Sequence, residues 1–149
     1  MRSVVQRVEK AKVLVGNKLL SEIGKGILVF LGIEQGDLET DADYLSDKII
    51  NLRIFEDENG KMNRSLLDIR GEILVVSQFT LLGNCRKGRR PSFENAEKPE
   101  RACRLYEYFI RKANEKVPFV SQGEFQAMMS VELVNDGPVT VILDSRHTV

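Results

Sequence analysis

Two hydroxyls and an amide arrive together in Ser77-Gln78-Phe79-Thr80, where the apolar run Ile73-Leu74-Val75-Val76 gives way to irregular sequence. Strand ends are where open α/β folds present reactive groups. Backbone N–H groups released from a ladder at such a point can hold an oxyanion. The commoner use of Ser or Thr there is to cap local backbone groups, so the segment needs support from elsewhere in the chain. A second candidate is Asn135-Asp136-Gly137-Pro138-Val139-Thr140. Its composition is that of a hairpin turn, and its Gly-Pro bond is of the one type that adopts cis readily. A third is Arg86-Lys87-Gly88-Arg89-Arg90-Pro91-Ser92-Phe93, in which glycine and proline shape a loop and the bases project. Arginine forks suit phosphate oxygens. Phe125, Met128 and Met129 form a fourth set that reads as pocket or core lining, with core packing the expected role of any single member.

The rest of the composition narrows the chemistry. His147 is the one histidine and stands two residues from the end of the sequence. Terminal residues are commonly mobile, so Ser-His-Asp and Cys-His catalysis and multi-histidine metal sites fall away. Cys85 and Cys103 form no CxxC and no Cys/His cluster, which argues against structural zinc and for free thiols in a reducing compartment. No metal and no cofactor is expected. The formal net charge is zero, so the chain as a whole does not attract nucleic acid. The charge is uneven, however: five acids and no base lie between Glu34 and Asp43, and four bases between Arg86 and Arg90. On a neutral protein such a basic cluster is a candidate phosphate contact. No apolar run approaches the roughly 20 residues of a membrane span. The alternating, charged start from Met1 to Val8 lacks the features of a signal peptide. The expected location is cytoplasmic, with no membrane contact.

The elements that must position these residues can be read in outline. The first third alternates as β structure, with a turn at Gly16-Asn17 and a buried strand at Ile27–Ile33. Leu38, Ala42, Leu45, Ile49 and Leu52 recur at helical spacing behind an acidic start. Asp57-Glu58-Asn59-Gly60 is a hairpin turn, and Glu72–Phe79 is a second apolar strand. Residues 83–98 read as a long loop, and loops of that length are often functional. Pro99 suits a helix start, with Ala102, Leu105, Tyr106, Phe109, Ile110 and Ala113 on one face and Pro118 beyond its end. Two last strands, Met129–Val134 and Val139–Leu143, are expected on either side of Asn135–Pro138. This order predicts a single mixed α/β domain over residues 1–149. Packed, barrel-like β-sheets carry flanking helices in a three-layer β/β/α arrangement.

Taken together, the motifs resemble a family. Gly60-Lys61-Met62-Asn63, Val75-Val76-Ser77-Gln78-Phe79-Thr80-Leu81, Lys87-Gly88-Arg89-Arg90-Pro91-Ser92-Phe93 and Asn135-Asp136-Gly137-Pro138-Val139-Thr140 occur in the order seen in the D-aminoacyl-tRNA deacylases, formerly called D-tyrosyl-tRNA deacylases. The likeness runs from Met1 to about Leu143. It implies hydrolysis of the ester between a D-amino acid, or glycine, and the terminal ribose of tRNA, with L-aminoacyl-tRNA rejected. It implies a homodimer with two sites at the subunit interface and Ser77, Gln78, Phe79 and Thr80 at the hydrolytic centre. It further implies a cis Gly137-Pro138 reaching into the partner's site, with Arg7 fixing its orientation and Phe125 and Met129 bordering the acyl-adenosine pocket. Arg86, Lys87, Arg89 and Arg90 would meet tRNA phosphates.

The chain departs from the family pattern at Gln126, where a glycine is usual, and at Met128, where a polar residue is usual. Two nucleophiles are open: Thr80, or water helped by the neighbouring ribose hydroxyl, with main-chain N–H groups near Gln78 and Phe79 holding the oxyanion. The second is favoured because no side-chain base for Thr80 is in view. The rival functions are a dimeric RNA-binding protein of the same fold without hydrolysis, and a general small-ester hydrolase.

Overall fold

The computed structural model describes residues 1–148. Its centre is a pair of short apolar strands, β3 (Gly26–Gly32) and β6 (Glu72–Ser77), which run parallel from Gly26↔Glu72 to Leu31↔Ser77. Their side chains alternate between two cores, as the two-residue period of a strand requires. Ile27, Val29, Leu31, Ile73 and Val75 face the helices, while Leu28, Leu74 and Val76 face the interior of a barrel-like sheet. A strand buried on both faces reads as continuous apolar sequence, which is why both segments were legible.

The sheet extends outward as β2 (Lys18–Ile23), β1 (Arg2–Val15), β3, β6 and β7 (Val120–Gln122), with β8 (Met129–Asp144) on the other edge of β1. β1 serves β3 with its first half and β2 with its second. Gly16 and Asn17, at φ of 54° and 64°, make the tight turn into β2. The small hairpin of β4 (Phe55–Glu56) and β5 (Met62–Arg64) closes over Asp57–Gly60. Asp57 accepts N–H bonds from Asn59 and Lys61 and the Asn63 amide; this last bond, and then the backbone ones, hold its carboxyl below the usual range.

Two helices cover one face. α1 (Glu39–Ile50) begins at Leu38, whose N–H donates to Asp41 Oδ2 at 2.8 Å, and carries Glu39 and Asp41 in its first turn. α2 (Pro99–Asn114) starts on proline and buries Ala102, Leu105, Tyr106, Phe109, Ile110 and Ala113. The helices lie against one side of a single barrel-like sheet, which gives the expected mixed α/β domain with flanking helices.

The ending of the chain differs from the expected strand–turn–strand. β8 is one antiparallel path along β1, pairing from Arg2↔Asp144 to Val15↔Met129. Asp136–Val139 is a bulge within it. Gln6 pairs with Thr140 and Val8 with Asn135, so β8 has four residues where β1 has only Arg7. Asn135 Nδ2 donates to Arg7 O at 2.9 Å and Val139 O at 3.2 Å, satisfying carbonyls that the interrupted ladder leaves open. The bulge also changes the ribbon's allegiance. Val5, Val139, Val141 and Leu143 pack on the helix-side core, whereas Val8, Ala11, Val13, Met129, Val131 and Leu133 pack in the barrel. Turn-forming residues and a strand bulge share their composition, which is why the segment misled.

Tyr106 joins α2 to the sheet. Its hydroxyl donates to Val75 O at 2.8 Å in a buried contact, and burial pushes the phenol far above its ordinary value of 10.0. Tyr106→Phe is expected to cost about 1–2 kcal/mol in urea unfolding near neutral pH. The raised phenol stays neutral in the fold, so its contribution is full below about pH 10 and falls as pH rises further, where only the unfolded chain ionises. The stability gap between wild type and Tyr106→Phe should therefore narrow above pH 10; a gap that widens there would contradict the assignment.

Candidate active site

β6 ends at Ser77, and the Gln78 N–H still donates to Leu31 O at 2.8 Å. The chain then tightens into a single 3-10 turn, Phe79–Leu82. Gln78 N–H is thereby committed, while the N–H groups of Phe79 and Thr80 have no acceptor among the described residues. These are the orphan donors that the start of a helical turn leaves. Gln78 Nε2 donates to the Thr80 hydroxyl. Arg2 fixes the far end of the turn by donating from Nη1 to Leu81 O at 3.0 Å, and its other nitrogen lies 3.6 Å from Asp144 Oδ2. Arg2 was not singled out from the sequence. A cation at the first position of a strand carries no signal of a contact 79 residues away.

The strand end opens on a cavity of about 710 Å³. One wall is Val76, Ser77, Gln78 and Phe79; another is the segment Ala96–Pro99 with Phe93; the third is Phe125–Met129 with Val131. Such a volume suits a small organic group. Phe125 leans on Tyr106 with ring centres 5.8 Å apart. Met129 is half-buried, but Met128 is 91% exposed. Of the two roles open to this set, pocket or core lining, Met128 takes the first and stands at the cavity rim.

Gln126 also lines the cavity, and its φ of +63° explains the departure noted above. Ala127 N–H donates to Glu124 O at 3.2 Å, closing a turn that places Gln126 in the left-handed region. That conformation costs a side-chain-bearing residue roughly 1 kcal/mol and a glycine almost nothing.

The only ionisable side chains on the cavity wall are Glu97 and Lys98. Glu97 is tied to Arg101 at 3.0 Å. His147 lies elsewhere, edge-on to Tyr44 of α1 with ring centres 5.5 Å apart. No group of three or more potential metal ligands occurs among the described residues, and no described helix is long and apolar enough to cross a membrane.

Arg7 and Gly137-Pro138 meet at the bulge. The Arg7 side chain is 6% exposed. Its Nε contacts Asp136 Oδ2 at 2.9 Å and donates to Asp136 O at 3.2 Å, Nη2 reaches Asp136 Oδ1 at 3.3 Å, and Nη1 donates to Ile54 O at 2.6 Å. The residue before Gly137 is thus clamped at main chain and side chain. The Gly137-Pro138 bond is cis, and both residues are exposed, outside the protomer's own cavity lining. Arg86, Lys87, Arg89 and Arg90 are all exposed on the loop that precedes Phe93.

Fold and cavity together define the class, a small mixed α/β domain whose polar Ser77–Phe79 segment lies beyond the end of a buried parallel strand and borders a cavity. Residues 4–144 match the family described as D-Tyr-tRNA(Tyr) deacylase, and the chain belongs to that family. It is 68% identical over 147 residues to a D-aminoacyl-tRNA deacylase of Syntrophus aciditrophicus strain SB, covering 99% of each chain. It is 61% identical over 145 residues to one from Clostridioides difficile strain 630, covering 97% of each. Among solved structures it is similar to the c-Myc DNA Unwinding Element Binding Protein, with a TM-score of 0.92, 43% identity, and 97% and 98% of the two chains covered.

Arg7→Ala should remove the clamp and strand a buried carbonyl and a half-buried carboxylate. A loss of about 2–4 kcal/mol in chemical unfolding is expected. Arg7→Lys should recover only part, because an ammonium cannot span Ile54 O and Asp136 as the fork does. Full recovery by lysine would show that charge alone is needed.

Proposed function

We propose that this protein is a D-aminoacyl-tRNA deacylase, which hydrolyses the ester joining a D-amino acid, or glycine, to the terminal ribose of tRNA. The observation that carries the chemistry is the polar end of β6, with two uncommitted N–H groups, opening on a mostly apolar cavity, while the Thr80 hydroxyl is bonded to the Gln78 amide and to no carboxylate or imidazole among the described residues. Ester hydrolysis needs a nucleophile and a place for the oxyanion. The N–H groups of Phe79 and Thr80 supply the second. For the first, an unactivated hydroxyl is a poor nucleophile near neutral pH. Water is the nucleophile, assisted by the ribose hydroxyl next to the ester, which covalent geometry already holds in place. Thr80, bonded to Gln78, acts by positioning.

In this reading the protein works as a cytoplasmic homodimer. The exposed Gly137-Pro138 segment, held from behind by Arg7, enters the partner's cavity. Its main-chain carbonyls fix the substrate's amino group and occupy the direction an L side chain would need. Exclusion by backbone rejects L-amino acids whatever their side chain. Glycine, having none, passes. Phe125 and Met129 border the acyl-adenosine group, and Arg86, Lys87, Arg89 and Arg90 meet phosphates of the acceptor end.

Deacylation measured side by side on D- and L-aminoacyl-tRNA is the direct test: release of the D form and of glycine, with the L form spared, is expected. Equal cleavage of both would mean a general esterase, and binding without release would mean an RNA-binding protein. Thr80→Ala should keep measurable turnover, while a substrate lacking the adjacent ribose hydroxyl should lose more; an aminoacyl-Thr80 adduct trapped during turnover would refute the water mechanism. Neutralising two of the four loop cations should lower the log–log salt slope of tRNA binding by roughly 0.7–0.9 per contact.

A further inference from the structure

The cationic loop and the aromatic wall of the cavity are parts of one structure. Asn84 and Ser92 pair across the loop base, each N–H donating to the other's carbonyl at 2.8 and 3.1 Å. The Asn84 side chain takes the Arg86 N–H at 3.0 Å. Gly88, at φ +68°, turns the tip. The four bases are therefore carried on a closed loop. None has an ion-pair partner among the described residues, and Glu94 is the one acid between Asn84 and Ala96.

Phe93 follows immediately and stands edge-on to Phe79, with ring centres 5.2 Å apart at 71°. A Cβ on Gly83 would lie 3.0 Å from Phe93 Cε1, so the glycine leaves the space in which this ring sits. Both rings stay open to solvent, Phe79 at 56% and Phe93 at 38%. Open rings beside unpaired cations are what a single-stranded nucleic acid requires: bases stack on the rings while the cations take the phosphates. A duplex keeps its base faces covered and gains nothing from the rings.

We propose that Phe93 is a stacking platform for the nucleotide that precedes the terminal adenosine of tRNA, so that the protein reads the unpaired 3′ end as a single strand. The inference rests on the deacylase reading, which puts the terminal nucleoside in the adjoining cavity. Continuity decides the occupant: Phe93 is both cavity wall and the residue that joins the wall to the cationic loop. A strand leaving the cavity meets the ring first and the bases next.

The test uses an uncharged RNA minihelix ending in the unpaired tRNA 3′ sequence and a blunt one lacking it. Binding to the full-length protein is followed by fluorescence anisotropy across a salt series. Wild type should prefer the overhang, and Phe93→Leu, which keeps an apolar side chain against Gly83, should lose about 5- to 100-fold on the overhang alone. Its salt slope should not change. Phe93→Trp should restore the preference. Arg89→Ala with Arg90→Ala should instead lower the slope on both RNAs. An overhang preference that survives Phe93→Leu, or a Phe93→Leu loss equal on both RNAs, would overturn the proposal. Failure of the deacylase reading is separable: it appears as absent D-specific hydrolysis in wild type, whatever the minihelices show.

Discussion

One buried guanidinium sits where the β1–β8 ribbon crosses from one core to the other. β8 carries four residues opposite Arg7 alone, and the surplus chain would leave polar groups unpaired inside the protein. Arg7 takes the Asp136 carbonyl and carboxylate together with the Ile54 carbonyl, and Asn135 takes the remaining two. A buried ion pair is not in itself a large source of stability, because desolvation offsets most of the attraction. Its effect here is geometric. The bulge lets the same two strands close the helix-side core at one end and the barrel at the other, and it presents Gly137-Pro138 on the outside.

The β3–β6 pair imposes the second condition. Because both faces of these strands are buried, they cannot slip by one residue without exchanging every side chain between cores. The end of β6 is thus fixed in space, and Ser77–Thr80 inherits that fixity. Arg2 and the Gln78 N–H hold the turn that follows. Met128 and the cationic loop, by contrast, stand at the rim and face solvent.

Much of this was legible in the residues. The apolar runs of β3 and β6, the acidic start of α1, Pro99 at the head of α2 and the Gly16-Asn17 turn each act through local physics, and local physics survives into the fold. Ser77–Thr80 could be placed at a strand end for the same reason. Asn135–Pro138 reads as irregular and hairpin-like in sequence, since nothing local distinguishes a turn that reverses a strand from a bulge that bends one. Met128 reads as pocket or core lining alike, since its side chain does not reveal which face of an irregular turn it occupies. Arg2 could not be found at all: its contact with Leu81 exists only because β1 lies beside the end of β6. Gln126 shows the opposite case, a departure visible in sequence whose meaning came from a single dihedral angle.

The cavity lies on the seam between the two cores. Val76, Met129 and Val131 belong to the barrel side, while Ile33, Ala102 and Phe125 belong to the helix side. Residues that are neighbours in the chain, such as Val75 and Val76, therefore answer to separate packing problems. A change that enlarges the barrel-side wall leaves the seating of α2 alone, and a change under α2 leaves the barrel closed. The two walls are free to drift independently, and a lineage of such proteins can alter the shape of its binding site from either side while the strand end between them stays where it is.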